Sequence, residues 1–108
     1  MVRTVMNDKV YKVFIESEWK VFQDTGKFGG SADDLRDGFI HLSTEDQLSG
    51  VIERFFSGIH PLFIAEFSAS DLHKRLKWEA SASNEVYPHL YGAGLFATEI
   101  KGLITVGE

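Results

Sequence analysis

The chain has 108 residues, 44% hydrophobic and 25% charged, an ordinary globular composition that excludes disordered and fibrous classes. Its 16 acidic and 11 basic residues leave a net charge of −5, which disfavours a nucleic-acid partner, because binding a phosphate backbone needs clustered Lys and Arg. There are no cysteines, no apolar run of membrane-spanning length and no leader-peptide pattern in "MVRTVMNDKVYKVF", so a single cytoplasmic domain over residues 1–108, without membrane association, is expected.

In chain order, "KVYKVFI" (Lys9 to Ile15) alternates around β-branched and aromatic residues and predicts a first strand. Ser17 is a candidate N-cap for a short helix that buries Trp19 and Phe22 and stops at Gly26. "KFGGSADDLRDG" reads as a polar, glycine-rich turn segment. "DGFIHLST" then predicts a strand with Phe39, His41 and Ser43 on one face and Ile40 and Leu42 on the other. Thr44 with Gln47 forms a capping-box pattern, so a helix is expected to begin there, with Leu48, Val51, Ile52, Phe55 and Phe56 on one face. "PLFIAEF" predicts a buried central strand. Ser70 or Asp71 starts a helical turn through "LHKR", "LKWE" extends, and "ASASNE" loops. "VYPHLYGAG" reads as a loop stiffened by Pro88. "LFATEIKGLITV" is one bulged strand or two short ones around Lys101-Gly102. Interspersed elements with short connections predict an α+β fold with a mixed, mostly antiparallel sheet and short helices.

The candidate chemistry concentrates in three places. His41 and Ser43, two apart on one strand face, could together meet a phosphate, ribose or amide; equally, His41 could donate to a backbone carbonyl while Ser43 helps cap the helix. Tyr87, His89 and Tyr91 place two phenols and an imidazole within five residues, suited either to stacking on a planar ligand ring or to plugging the core. Glu79 follows Trp78 and faces the opposite side of its strand. No H-x-H or H-x-x-x-H pair occurs, so no metal is expected; a zinc site would have to gather His41, His89 and Glu79 from a distance.

"DGFIHLST", "LKWE" and "YPHLYG", in that order, resemble the small bacterial proteins grouped as domain of unknown function 952, over nearly the whole chain. The resemblance implies an ADP-ribosyltransferase-like fold, a split mixed sheet that cradles NAD. It further implies that His41 and Ser43 approach the dinucleotide while Tyr87, His89 and Tyr91 close another wall. The expected function is a small-molecule pocket for NAD or a related nucleotide. If ADP-ribosyl transfer or NAD cleavage occurs there, Glu79 (or, second, Glu99) would stabilise the cation-like transition state and His41 would position ribose or nicotinamide. The chain departs from such enzymes in two places: "VYKVF" replaces a His-Gly-Thr or Arg strand motif, and Ala82 stands where an arginine often follows the Trp-Glu pair. These departures keep two alternatives alongside the enzyme, a non-catalytic nucleotide- or metabolite-binding module and a structural interaction protein.

Overall fold

The computed structural model describes residues 8–107, so the leader-peptide reading of the first residues lies outside it. Strand β1 (Lys9–Ile15) runs directly into helix α1 (Glu16–Thr25). With no linker between them, Ile15 rather than Ser17 occupies the N-cap, and its N–H is taken by Glu18 Oε1 at 3.2 Å. Trp19 and Phe22 are buried as expected, and Gly26, at φ 76°, closes the helix in the left-handed conformation that glycine adopts freely.

After the short strand β2 (Lys27–Phe28), the segment read as a turn contains helix α2 (Ala32–Asp37). Ser31 Oγ accepts the Asp34 N–H at 3.2 Å, and Asp34 Oδ2 accepts the Ser31 N–H at 2.9 Å, a reciprocal cap that holds six residues helical despite their polarity. Strand β3 (Ile40–His41) follows, then helix α3 (Leu48–Phe55). Thr44 and Gln47 do interact, Gln47 Oε1 accepting the Thr44 N–H at 3.0 Å, but a turn intervenes and α3 begins at Leu48. Leu48, Ile52 and Phe56 pack inward, whereas Phe55 is 64% exposed and leaves the predicted apolar face.

Strand β4 (Leu62–Ser68) is central, between β1 and strand β8 (Ile100–Val106). Helix α4 (Ala69–Leu72) starts earlier than expected because Ser68, not Ser70 or Asp71, caps it. Strand β5 (Leu76–Ala80) pairs with strand β6 (Val86–Leu90), which in turn pairs with β3. The predicted Pro88 loop is therefore mostly strand. Pro88 lacks an N–H, but its carbonyl accepts the Leu42 N–H at 3.1 Å, so it still serves the ladder. Strand β7 (Leu95–Phe96) pairs with β2, and a 3-10 turn at Ala97–Glu99 separates it from β8. Lys101 is the extra residue of a bulge, since Gly102 pairs with Glu66 and Ile100 with Phe67.

Every named ladder is antiparallel, so the α+β expectation holds while the pairing among the described strands is not mixed. Among the described residues the two three-stranded sheets meet at one bridge, Tyr11 with Ser43, closed by N–H to carbonyl bonds of 2.8 and 2.9 Å. Strand β1 is buried on both faces: Val10 and Phe14 join the larger core with α1, and Tyr11 and Val13 join a smaller one under α3. Phe14 anchors the larger core, with ring centroids 4.8 to 5.4 Å from Phe28, Phe22 and Trp19. Each such buried side chain contributes about 1.5–3 kcal/mol. Among the described residues no helix is long and apolar enough to cross a membrane.

Candidate functional site

Register brings the predicted residues together. His41 on β3 pairs directly with His89 on β6, and their ring centroids lie 5.9 Å apart. Glu79 on β5 pairs with Tyr87, two residues along from the Lys77–His89 pair, so it reaches His89 diagonally. Glu79 Oε1 lies 2.7 Å from His89 Nδ1 and accepts the Tyr91 hydroxyl at 2.8 Å. These hydrogen bonds, Tyr91 first and His89 second, hold the Glu79 carboxyl below the ordinary range, while the same contact raises the Tyr91 phenol. Phe39 stacks on His89 at 3.9 Å and lies 5.5 Å from Tyr91, forming an aromatic floor. Lys77 Nζ sits 5.1 Å from the centroid of the Tyr91 ring.

His41 is organised by α2. Its Nδ1 lies 2.6 Å from Asp34 Oδ1, and its Nε2 lies 3.1 Å from Asp37 Oδ2. Asp34 also accepts the His41 backbone N–H at 3.1 Å, and its second oxygen takes Lys12 Nζ at 2.9 Å. Burial pushes the Asp34 carboxyl up, but His41, Lys12 and the Ser31 N–H outweigh it and hold the group far below the ordinary aspartate range. Lys12, in the middle of β1, is itself buried and also donates to the His41 carbonyl at 3.2 Å.

Three sequence candidates have their polar groups engaged apart from this cluster. Ser43 is buried, and its backbone N–H and carbonyl are spent on Tyr11. The Tyr87 hydroxyl accepts from Arg54 at 2.7 Å and donates to Glu85 at 3.1 Å, linking the β5–β6 hairpin to α3. Glu99 pairs with Arg75 at 2.8 Å and accepts the Phe96 N–H, a cross-brace near β7. Asp34 and Asp37 were not singled out from sequence, although Ser31-x-x-Asp34 is itself a capping-box pattern that would have exposed α2. Among the described residues no group of three or more His, Asp or Glu is disposed to hold a metal ion, so His41, His89 and Glu79 do not form one.

The model of the protein family of unknown function DUF952 matches residues 13–102. The chain belongs to that family. Its fold is also that of protein CC0527 from Caulobacter crescentus. The crystal structure of CC0527 is 37% identical, with a TM-score of 0.84, over 90% of this chain and 84% of that one. The solution structure of CC0527 is likewise 37% identical, with a TM-score of 0.80, over 90% of this chain and 83% of that one. No curated protein matches. Apart from Lys12, one residue before its start, the residues of the His41–His89 cluster fall within the segment that carries the DUF952 match.

Proposed function

We propose that this DUF952 protein binds NAD or a related nucleotide on the sheet face carrying Phe39, Glu79, His89 and Tyr91, with His41 at its rim. One observation carries the reading: Glu79 is clamped through a single oxygen by His89 and Tyr91, beside the aromatic floor of Phe39. Its side chain is 40% exposed, so the second oxygen is within reach of a ligand. A planar ring can stack on this floor, and an ionised carboxylate held in place can stabilise positive charge growing on a ribose carbon. In ADP-ribosyl transfer, nicotinamide leaves with the bonding electron pair. An acceptor oxygen then bonds to the ribose carbon, and its proton passes to Glu79 or water. The ADP-ribosyltransferase-like description of the fold belongs to this proposal; two antiparallel blocks meeting at the Tyr11–Ser43 bridge support it.

A second reading, binding without catalysis, is favoured by the exposure of that face, where the Glu79 side chain is 40% exposed. Two hollows, of about 320 and 300 Å³, lie beside α1, lined by Trp19 and Phe22 in one case and by Glu18 and Phe28 in the other. Lys12 is committed to Asp34 and Arg75 to Glu99, which leaves Lys77 as the cation beside Tyr91 to meet a phosphate. In a third reading, a purely structural one, the same histidine–carboxylate contacts would serve packing alone.

The deciding experiment measures thermal stability against NAD, ADP-ribose, nicotinamide and common nucleotides, in wild type and in folded Tyr91→Ala and His41→Ala variants. Dose-dependent stabilisation that both variants lose is the expected result. Stabilisation that survives both puts the ligand elsewhere, and no shift from any nucleotide at millimolar concentration overturns the reading. Nicotinamide release from NAD then separates enzyme from binding module.

A further inference from the structure

We propose that β8 is a self-association edge, through which two copies of this chain join their sheets into one continuous antiparallel sheet. Among the described residues β8 is the outer strand of its sheet, with β4 on its inner side. On the face under α3, two cross-strand rows are apolar from end to end: Val13–Ile64–Ile104 and Ile15–Leu62–Val106. Val13, Ile64 and Leu62 are buried, but the rows end at the edge with Ile104 51% and Val106 38% exposed. Helix α3 packs Leu48, Ile52 and Phe56 onto the inner members, so the small core under it runs out to the open strand. On the opposite face Leu103 is 48% exposed.

Edge strands are ordinarily blunted by charge, proline or shortness. From Gly102 to Gly107 this one reads "GLITVG", with neither charge nor proline. Charge also selects the occupant. A chain of net charge −5 repels its own copies over most of its surface, yet this strip is neutral, and the neighbouring Lys101 is tied to Asp71 at 3.2 Å. A two-fold axis at Ile104 sets that residue against its counterpart, Gly102 against Val106, Leu103 against Thr105 and Lys101 against Gly107. No like charges then face each other; the Val13–Ile64–Ile104 row meets Ile104 of the second copy, and Val106 packs over its Gly102. The pairing is isologous, so it closes at two copies.

The test is the molar mass of the full chain by light scattering, in a concentration series extending to high micromolar. The mass is expected to rise from one chain to two and stop there. Ile104→Lys and Thr105→Lys are each expected to raise the dimer dissociation constant by about tenfold or more, with unchanged circular dichroism. Thr105 is an exposed residue outside both cores, so its variant remains informative if Ile104→Lys loosens the fold. Because the chain has no cysteine, Ile104→Cys also reports register, and oxidation is expected to give a covalent dimer. A one-chain mass throughout, growth beyond two chains, or a dimer indifferent to both lysine variants overturns the proposal.

Discussion

Asp34 Oδ1 lies 2.6 Å from Nδ1 of His41. Its other oxygen lies 2.9 Å from Lys12 Nζ. One buried carboxylate on α2 therefore ties β1 to the histidine of β3, and the orientation of His41 depends on an ion pair in the protein interior. Removing either charge leaves the other buried without compensation.

Asp34→Asn is accordingly expected to destabilise the fold by about 3–5 kcal/mol, the cost of an uncompensated buried ammonium. Urea denaturation measures it. Replacing both partners, Lys12→Met with Asp34→Leu, should recover most of the loss, because apolar groups need no counter-charge there. A single-variant loss below about 1 kcal/mol would mean that Lys12 reaches water instead.

The same carboxylate sets an acid dependence. Its folded pKa lies below its ordinary value of 3.8, so its stabilisation is fully present above that value and is lost as pH falls through the folded pKa. The Asp34 contribution to the wild-type denaturant midpoint should therefore hold steady from neutral pH down to about 3.8 and fall below it. Asp34→Asn, with nothing to protonate at that position, should show a shallower fall over the same window. Parallel pH curves for the two proteins would contradict the linkage.

Glu79→Gln keeps the shape of the side chain while removing its charge. Folding should be unchanged; under the proposed NAD-cleaving reading, nicotinamide release should fall to background in this variant while ligand-induced stabilisation persists. Tyr91→Phe removes the first-ranked donor that holds the Glu79 carboxyl down. The acid limb of binding or turnover should then move to higher pH. An acid limb that stays in place separates Glu79 from the titrating group.

Gly94 has φ +104°, and a Cβ there would lie 2.5 Å from the Phe28 carbonyl oxygen. Gly94→Ala should therefore strain the β2–β7 pairing and cost about 1–3 kcal/mol. A thermal melt reads the loss directly. Gly26→Ala meets no atom within 4 Å and carries only the backbone penalty, so it should cost less.

Local patterning in the sequence already determined much of the fold. The alternation in Lys9–Ile15 and the apolar run of Leu62–Ser68 marked β1 and the central β4. The helical spacing of Trp19 and Phe22, with Gly26 beyond them, located α1, and the DUF952 resemblance was readable because the stretches that suggested it are contiguous. These signals are short-range, set by side-chain period and by glycine's tolerance of positive φ. Two elements were missed, α2 despite a capping box that is itself local, and β6 because strand pairing overrode a local rule. Helix α2 looked like a turn because its residues are polar, and β6 looked like a loop because proline seldom sits in a strand.

Only the tertiary structure decided which polar residues meet. Asp34 and His41 are seven residues apart, Lys12 is 22 from Asp34, and Glu79 is 10 from His89. Contacts of that kind are set by strand register and helix docking, which individual motifs do not encode. Ser43 was drawn off by its bridge to Tyr11, and Tyr87, although paired with Glu79, turns its hydroxyl to Arg54 and Glu85. Composition supplied the residues for a site; the antiparallel pairing of β3, β6 and β5 determined which of them stand together.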